Sequence, residues 1–447
     1  MKLQHTYDAL IIGGGLSGLS AAVELSSKGG KVLLLEQRQY LGGRTHSFID
    51  SSTGDTVDNG QHLMMGCYKE TRRYLHTIGS EHLAFLQPSL RIEFVDPVKG
   101  SSTLACSSLP PPFHVLSGLL RLGSLSFTDR LRLLRVGVEL MYSSIEKERI
   151  LDSMNVDEWL SSLGQSPENK KYLWDIIAIG SLNDHPRNIS ALLFFRVLRA
   201  AFMGTQEDSC LLIPRVGLTE LLVDPAIAFI THHGGEIRTA CRIHSVETSN
   251  NHISSIHTAA GERLQAGVYI SAIPFFDLPF MLSDDLIVPS LPLFVSTPIL
   301  SINLWFDREV FKGEFAAVLN SNIQWIFNRS KLCKSSVDES KRQHLSLVIS
   351  GAEEYIEYSK DNIIQLALDD LKRVLPATVD ARLLHSLVIK ERRATFSPRP
   401  GLEPSRPDTR TKLENLFLAG DWTNTGLPAT IEGAVKSGRK AADAVCG

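Results

Sequence analysis

Gly13, Gly15 and Gly18 stand in the spacing Gly-x-Gly-x-x-Gly, with one acid, Glu36, further on. Glycines so spaced do backbone chemistry: the first allows a tight turn, the second lets a pyrophosphate approach the main chain, and the third lets a helix lie close on a strand. The phosphate then rests on the positive end of that helix, whose first turn holds Leu16 and Ser17. A carboxylate about 20 residues beyond the loop can accept hydrogen bonds from an adenosine ribose. The elements that must hold these groups lie on either side. Residues 9–12 are an apolar run too continuous for a half-exposed strand, as in a parallel sheet covered on both faces. Gly29 and Gly30 stop the helix, and residues 32–35 form a second buried strand that delivers Glu36. A glycine-rich turn in an ordinary α/β core accounts for the glycines but not for the acid, so residues 7–36 are expected to hold the adenosine half of a dinucleotide.

The bulk numbers exclude other classes. A chain of 447 residues predicts two or three domains. With 46 basic against 49 acidic residues, a net charge of −3, nothing points to nucleic acid. The cysteines (Cys67, Cys106, Cys210, Cys241, Cys333 and Cys446) are scattered without a Cys-x-x-Cys. That argues against a disulfide framework or a metal site and fits a reducing, cytoplasmic compartment. Only six residues precede the first strand, so no signal peptide is expected. No window offers about 18 consecutive apolar residues, so no transmembrane helix is expected either. Peripheral contact with the inner membrane face stays open.

After Glu36 come Arg38 and then Gly42-Gly43-Arg44. This pattern resembles the flavoprotein group of amine oxidases, phytoene desaturases and protoporphyrinogen oxidases, in which the extra glycines and arginine embrace the flavin half of FAD and Arg38 matches an arginine beside the ribose. In residues 57–68 (VDNGQHLMMGCY), Asp58, Asn59, Gly60, Gln61 and His62 resemble the group's loop at the flavin ring. Near the C-terminus, residues 416–438 (LFLAGDWTNTGLPATIEGAVKSG) read as strand, acid, loop and helix. By the resemblance, Gly420 and Asp421 meet the ribityl or pyrophosphate part, and the amides of Thr430 and Ile431 offer a helix N-terminus carrying roughly half a positive charge. Gly433 and Gly438 would let that helix approach closely. Backbone at Ile243 would hold the adenine. The 58–62 and 416–438 blocks, with residues 391–407, resemble the hydroxysqualene dehydroxylases in particular.

Between these anchors, Pro110–Pro112 precede two helices, the second starting at Ser126 with Asp129. Leu116, Leu119, Leu120 and Leu122, then Leu131, Leu134, Val138 and Met141, are spaced for helical apolar faces, with Arg121, Arg130, Arg132 and Arg135 near the other side. Such helices either fold those faces onto their own domain or lie on a bilayer. The fold class expected is α/β: a Rossmann-like FAD-binding domain of the glutathione reductase type (1–75, 207–275 and 385–447), interleaved with an α+β substrate domain (76–206 and 276–384) that contains an antiparallel sheet and a helical lid. Phe275, Phe276, Phe280, Phe294, Trp305, Phe306, Trp325 and Phe327 either line an apolar tunnel or are core.

Residues 391–438 contain no tyrosine for an amine oxidase cage and no cysteine to bond a flavin, so non-covalent FAD is expected. The resemblance implies reductive dehydroxylation of hydroxysqualene to squalene on an apolar C30 isoprenoid, with a reductant for FAD that the residues do not specify. Loss of an allylic hydroxyl needs a proton donor. His62 is the first candidate and Glu432 the second. A phytoene-type desaturase, and a flavin-free prenyl-binding protein similar to the Rab escort proteins, are the alternatives.

Overall fold

The computed structural model describes residues 7–281, 291–333 and 342–446. The apolar run becomes β1 (Tyr7–Ile12), the central strand of a five-stranded parallel sheet. Its order is Glu236–Arg238, β2 (Val32–Leu35), β1, Ala266–Ser271 and Leu416–Leu418, every neighbour parallel. Alternate residues face opposite layers. Ala9, Ile11, Val32 and Leu34 pack under α1 (Leu16–Ser27), while Leu10, Ile12, Leu33 and Leu35 meet Ile253 and Ile256 of the Ile243–Ser249/His252–Thr258 ribbon. Burial on both faces is why these strands read as unbroken apolar runs.

A second, seven-stranded sheet runs Leu383–Phe396, Ser296–Phe306, Gln343–Ser350, Trp325–Asn328, Phe315–Val318, Arg91–Asp96 and Gly100–Ala105. It is antiparallel except where Phe315–Val318 runs parallel to Arg91–Asp96. The boundary at 385 falls inside Leu383–Phe396, which pairs along Ser296–Phe306, and the 76–206 segment opens with the strands Ala84–Leu86, Arg91–Asp96 and Gly100–Ala105 before its helices. Those helices include α3 (Phe113–Arg121), α4 (Phe127–Met141) and α5 (Ile145–Asp152), after α2 (Lys69–Thr77). Ser126 caps α4 by accepting from the Asp129 amide, as its sequence suggested.

The Ser296–Phe306 strand is buried on both sides but chemically two-faced. Leu300, Ile302, Leu304 and Phe306 pack with Ile363, Ala367 and Leu371 of the Lys360–Val374 helix, whereas Ser301, Asn303 and Trp305 take the other face. The aromatics proposed for a tunnel are divided among cores. Phe294 packs with Phe275, Phe396 and Trp422, Phe306 belongs under the Lys360–Val374 helix, and Trp325 stacks on Phe327. Trp305 stacks on His344. The side chain of Phe280 lies outside the described residues.

Candidate cofactor and substrate site

At the C-terminal end of β1 the glycine loop turns into α1. A Cβ on Gly18 would fall 1.9 Å from the Gly13 carbonyl oxygen, so only glycine lets the helix start this close to the strand. Gly15 differs: a Cβ there would meet nothing within 4 Å, and no side chain caps α1. An open space before an uncapped helix start is where an anion belongs. Glu36 closes the loop from below, its carboxylate accepting from the Gly14 amide (2.8 Å) and the Arg38 amide (2.8 Å). Arg38 itself turns its guanidinium to the Tyr40 hydroxyl (3.0 Å). The chain returns alongside at 240–241, where the Cys241 amide donates to the Glu36 carbonyl (2.8 Å), bringing Ile243 to the same end of β2.

Gly42 donates to the Gly14 carbonyl (2.8 Å), which lays the Gly42-Gly43-Arg44 turn across the first loop. From there Arg44 reaches two distant elements. One nitrogen donates to the Ala394 carbonyl (2.6 Å), and another pairs with Asp421 Oδ2 at 2.7 Å. Burial works against the arginine's charge, but Asp421 and Glu391 together outweigh it and raise the pKa. Arg44 still has 44% of its side chain open, so it lines a space inside the fold. Beyond Asp421 the C-terminal helix (Ile431–Cys446) begins, with Thr430 Oγ1 accepting from the Gly433 amide (3.1 Å). This helix crosses α1 at closest approach where a Cβ on Gly438 would lie 2.2 Å from the Ser17 carbonyl oxygen, and Ser437 donates to the Ser17 hydroxyl (3.1 Å). Gly433 serves its own turn, a Cβ there meeting the Pro428 carbonyl at 2.6 Å.

The 58–62 loop lies between the two sheets. Asn59 donates to Glu391 (3.2 Å), and a Cβ on Gly60 would sit 3.8 Å from both Ser301 Oγ and His62 Nε2. Burial holds the His62 pKa below its ordinary range, with Asp58 pulling it up and Arg44 pushing it down. Sequence reading missed the residue that orders this loop. Arg329 donates to Gln61 Oε1 (2.6 Å) and pairs with Asp58 Oδ2 (2.8 Å), both charged side chains being almost wholly buried. The arginine fixes which end of the Gln61 amide is which, and Gln61 Nε2 is left buried without a partner. Nothing near Arg329 in sequence signals this, because its partner Asp58 lies far up the chain. Arg406 was also missed. Fully buried and paired with Glu403, it donates to the carbonyls of Asp421 (2.9 Å) and Leu427 (2.8 Å), holding the loop that follows Leu416–Leu418.

Glu432 has a different place from the one expected. Its carboxylate accepts from the amides of Glu70 (2.9 Å) and Thr71 (2.8 Å) and from the Thr71 hydroxyl (2.7 Å), so it caps α2. An acid committed to three donors there is no free proton source. Burial raises its pKa against those bonds. Cys67 lies nearby, its thiol pushed up to about 12 by burial, and is no nucleophile toward a flavin. Tyr68 bonds Thr430 and is raised still further by burial, so a neutral phenol stands at the start of the C-terminal helix.

An uncapped helix start over open space, a half-open arginine, a ribose-ready carboxylate and a buried amide donor together fit pyrophosphate, ribose and flavin. Fold and site define a flavoenzyme, an FAD-dependent oxidoreductase. The chain belongs to the family of flavin containing amine oxidoreductases, whose model matches residues 16–446. It is 29% identical over 442 residues to a hydroxysqualene dehydroxylase of Sinorhizobium fredii, covering 97% of both chains. It is 26% identical to a 15-cis-phytoene desaturase of Glycine max, covering 98% of this chain and 79% of that one. The fold matches cyclohexylamine oxidase from Brevibacterium oxydans at a TM-score of 0.68, with 18% identity over 98% of each chain. Among the described residues no helix is long and apolar enough to cross a membrane.

Proposed function

We propose that this chain removes the hydroxyl of hydroxysqualene, giving squalene and water. The observation that carries the reading is the end-to-end likeness to the Sinorhizobium fredii hydroxysqualene dehydroxylase, 97% of both chains. The likeness to the desaturase leaves about a fifth of that longer chain uncovered. Bound in its reduced form, FAD supplies the hydride that the allylic carbon takes as its C–O bond breaks. The chain's own residues do the rest. Arg44 and the two helix starts would hold the cofactor, Asp421 positions Arg44 by pairing with it at 2.7 Å, and Arg329 orients Gln61. His62 gives a proton to the departing oxygen, and its neighbours Asp58 and Arg44 set how readily it does so. With the His62 pKa lowered from 6.5, the donor is mostly neutral at pH 7 and gains its proton as pH falls.

The purified protein is photoreduced without oxygen and mixed with hydroxysqualene. Return of the oxidised flavin spectrum together with squalene is expected, and the rate rises as pH drops below about 6.5. His62→Ala lowers that rate about 10²-fold or more and flattens the profile. A reduced flavin that stays reduced, or an oxidised protein that desaturates phytoene, overturns the assignment.

A further inference from the structure

α4 carries two apolar stripes. Leu133, Val136 and Leu140 are buried and hold the helix to the protein. Phe127, Leu131, Leu134, Val138 and Met141, at alternating spacings of four and three, share the opposite face, and all are exposed, Phe127 to 70%. The Leu131-Leu134-Val138-Met141 face, one candidate for packing onto the protein's own domain, thus points outward. The stripe continues past the helix. Tyr142 is exposed, Ile145 at the start of α5 is 92% exposed, and Leu109, Phe113, Leu120 and Ile150 are exposed beside them. Of the 19 large apolar side chains exposed among the described residues, 11 fall in residues 109–150. Apolar residues scattered singly over a surface need no explanation, whereas a concentration of this kind marks a contact.

Charge says what the contact is. The 109–150 segment holds six basic and four acidic residues, in a chain whose totals are 46 and 49. Arg121 and Arg149 lie exposed at its margins. The other arginines have structural work: Arg130 donates to the carbonyls of Leu120 and Leu125 (3.0 Å each), Arg132 pairs with Asp129 (2.9 Å), and Arg135 rests on Gly164. Apolar residues therefore form most of the outer surface, with Arg121 and the Arg149–Glu146 pair (4.0 Å) at its edge. Beside the stripe a cleft of about 400 Å³ opens between α5 and the following helix, with Ile150, Met154 and Trp159 in its lining and Glu139, Glu146 and Lys147 there as well. An apolar face with arginines at its rim suits acyl chains beneath anionic headgroups.

We propose that residues 109–150 dock this protein on the surface of an anionic phospholipid bilayer, with the α4 outer stripe, Tyr142 and Ile145 immersed at the acyl boundary. The proposal stands on exposure and charge, so its failure would leave the substrate reading intact.

Co-sedimentation of the FAD-loaded protein with phosphatidylcholine vesicles, with and without phosphatidylglycerol, tests it. The wild type pellets with the vesicles, more strongly when phosphatidylglycerol is present. The variant L131E/V138E/I145E loses binding at least about tenfold while keeping its FAD and its circular dichroism. In an otherwise wild-type chain, F127W fluorescence shifts to the blue on the same vesicles. A wild type that stays in solution, a triple variant that binds equally, or an unshifted F127W overturns the proposal. So does a wild-type dimer that ignores vesicles and that the triple variant splits, since the face would then belong to a second copy.

Discussion

At the scale of single residues the molecule depends most on charges buried far from water. Arg329 and Asp58 have side chains 4% and 2% exposed, and Asp58 also accepts from the Ser47 hydroxyl (2.6 Å) and the Leu218 amide (3.0 Å). Removing only the arginine strands a buried carboxylate, which costs far more than the pair itself contributes. R329M is expected to lose about 3–5 kcal/mol of stability in urea unfolding, and the double variant D58N/R329M to lose less than R329M alone. Equal losses would show that Asp58 does not depend on this partner. Gln61 gives a second readout, since without Arg329 its amide is free to turn.

At the scale of elements, two glycines separate what the fold needs from what the cofactor needs. Gly438 lets the C-terminal helix touch α1, and a side chain there meets main chain at 2.2 Å. G438V must push the two helices apart, costing about 1–3 kcal/mol in apoprotein stability. FAD affinity is expected to fall with it, because both helix starts proposed to face the cofactor move. Gly15 sits with extended φ −75° and open space around it, so G15V fits the apoprotein without strain. It fills the open space proposed for the pyrophosphate. Apoprotein melts and FAD titrations followed by flavin fluorescence should therefore show both defects in G438V but only the binding defect in G15V. A stability loss in G15V equal to that in G438V would contradict the division.

At the scale of the whole molecule, burial of histidine sets the response to acid. His46, His62, His114 and His344 all have pKa values lowered from 6.5, in each case first by burial. Above 6.5 they are neutral folded or unfolded and contribute no difference. As pH falls below 6.5 the unfolded chain takes up protons that the folded one refuses, so stability is lost. The melting temperature of the apoprotein should therefore fall between about pH 7 and about pH 5.5. The carboxyl groups of Asp152, Asp175, Asp277, Glu353 and Glu432 have raised pKa values, in each case first by desolvation, and act with the opposite sign at lower pH. H344Q, which cannot titrate, should flatten the slope. A melting temperature constant over this range would show that the histidines are not protected as their burial implies.

The sequence by itself determined the strand-turn-helix stretches that make up the candidate cofactor site, and the layer that carries them. Gly13 to Glu36 and Gly420 to Gly438 each lie on one short strand-turn-helix stretch, and local geometry there follows from residue type, with Gly18 and Asp421 as clear cases. The tertiary structure alone decided how distant residues share work. Arg329 pairs with a partner 271 positions away, and a pair that far apart leaves no local pattern in the chain. Glu432, one turn from the expected flavin seat, spends its carboxylate on α2 because α2 happens to start beside it. The faces of α4 were ambiguous for a related reason: apolar residues recur at helical spacing on two sides, and periodicity cannot say which side meets the core. Only packing chose Leu133, Val136 and Leu140 for the inside, leaving Leu131, Leu134, Val138 and Met141 to the solvent side.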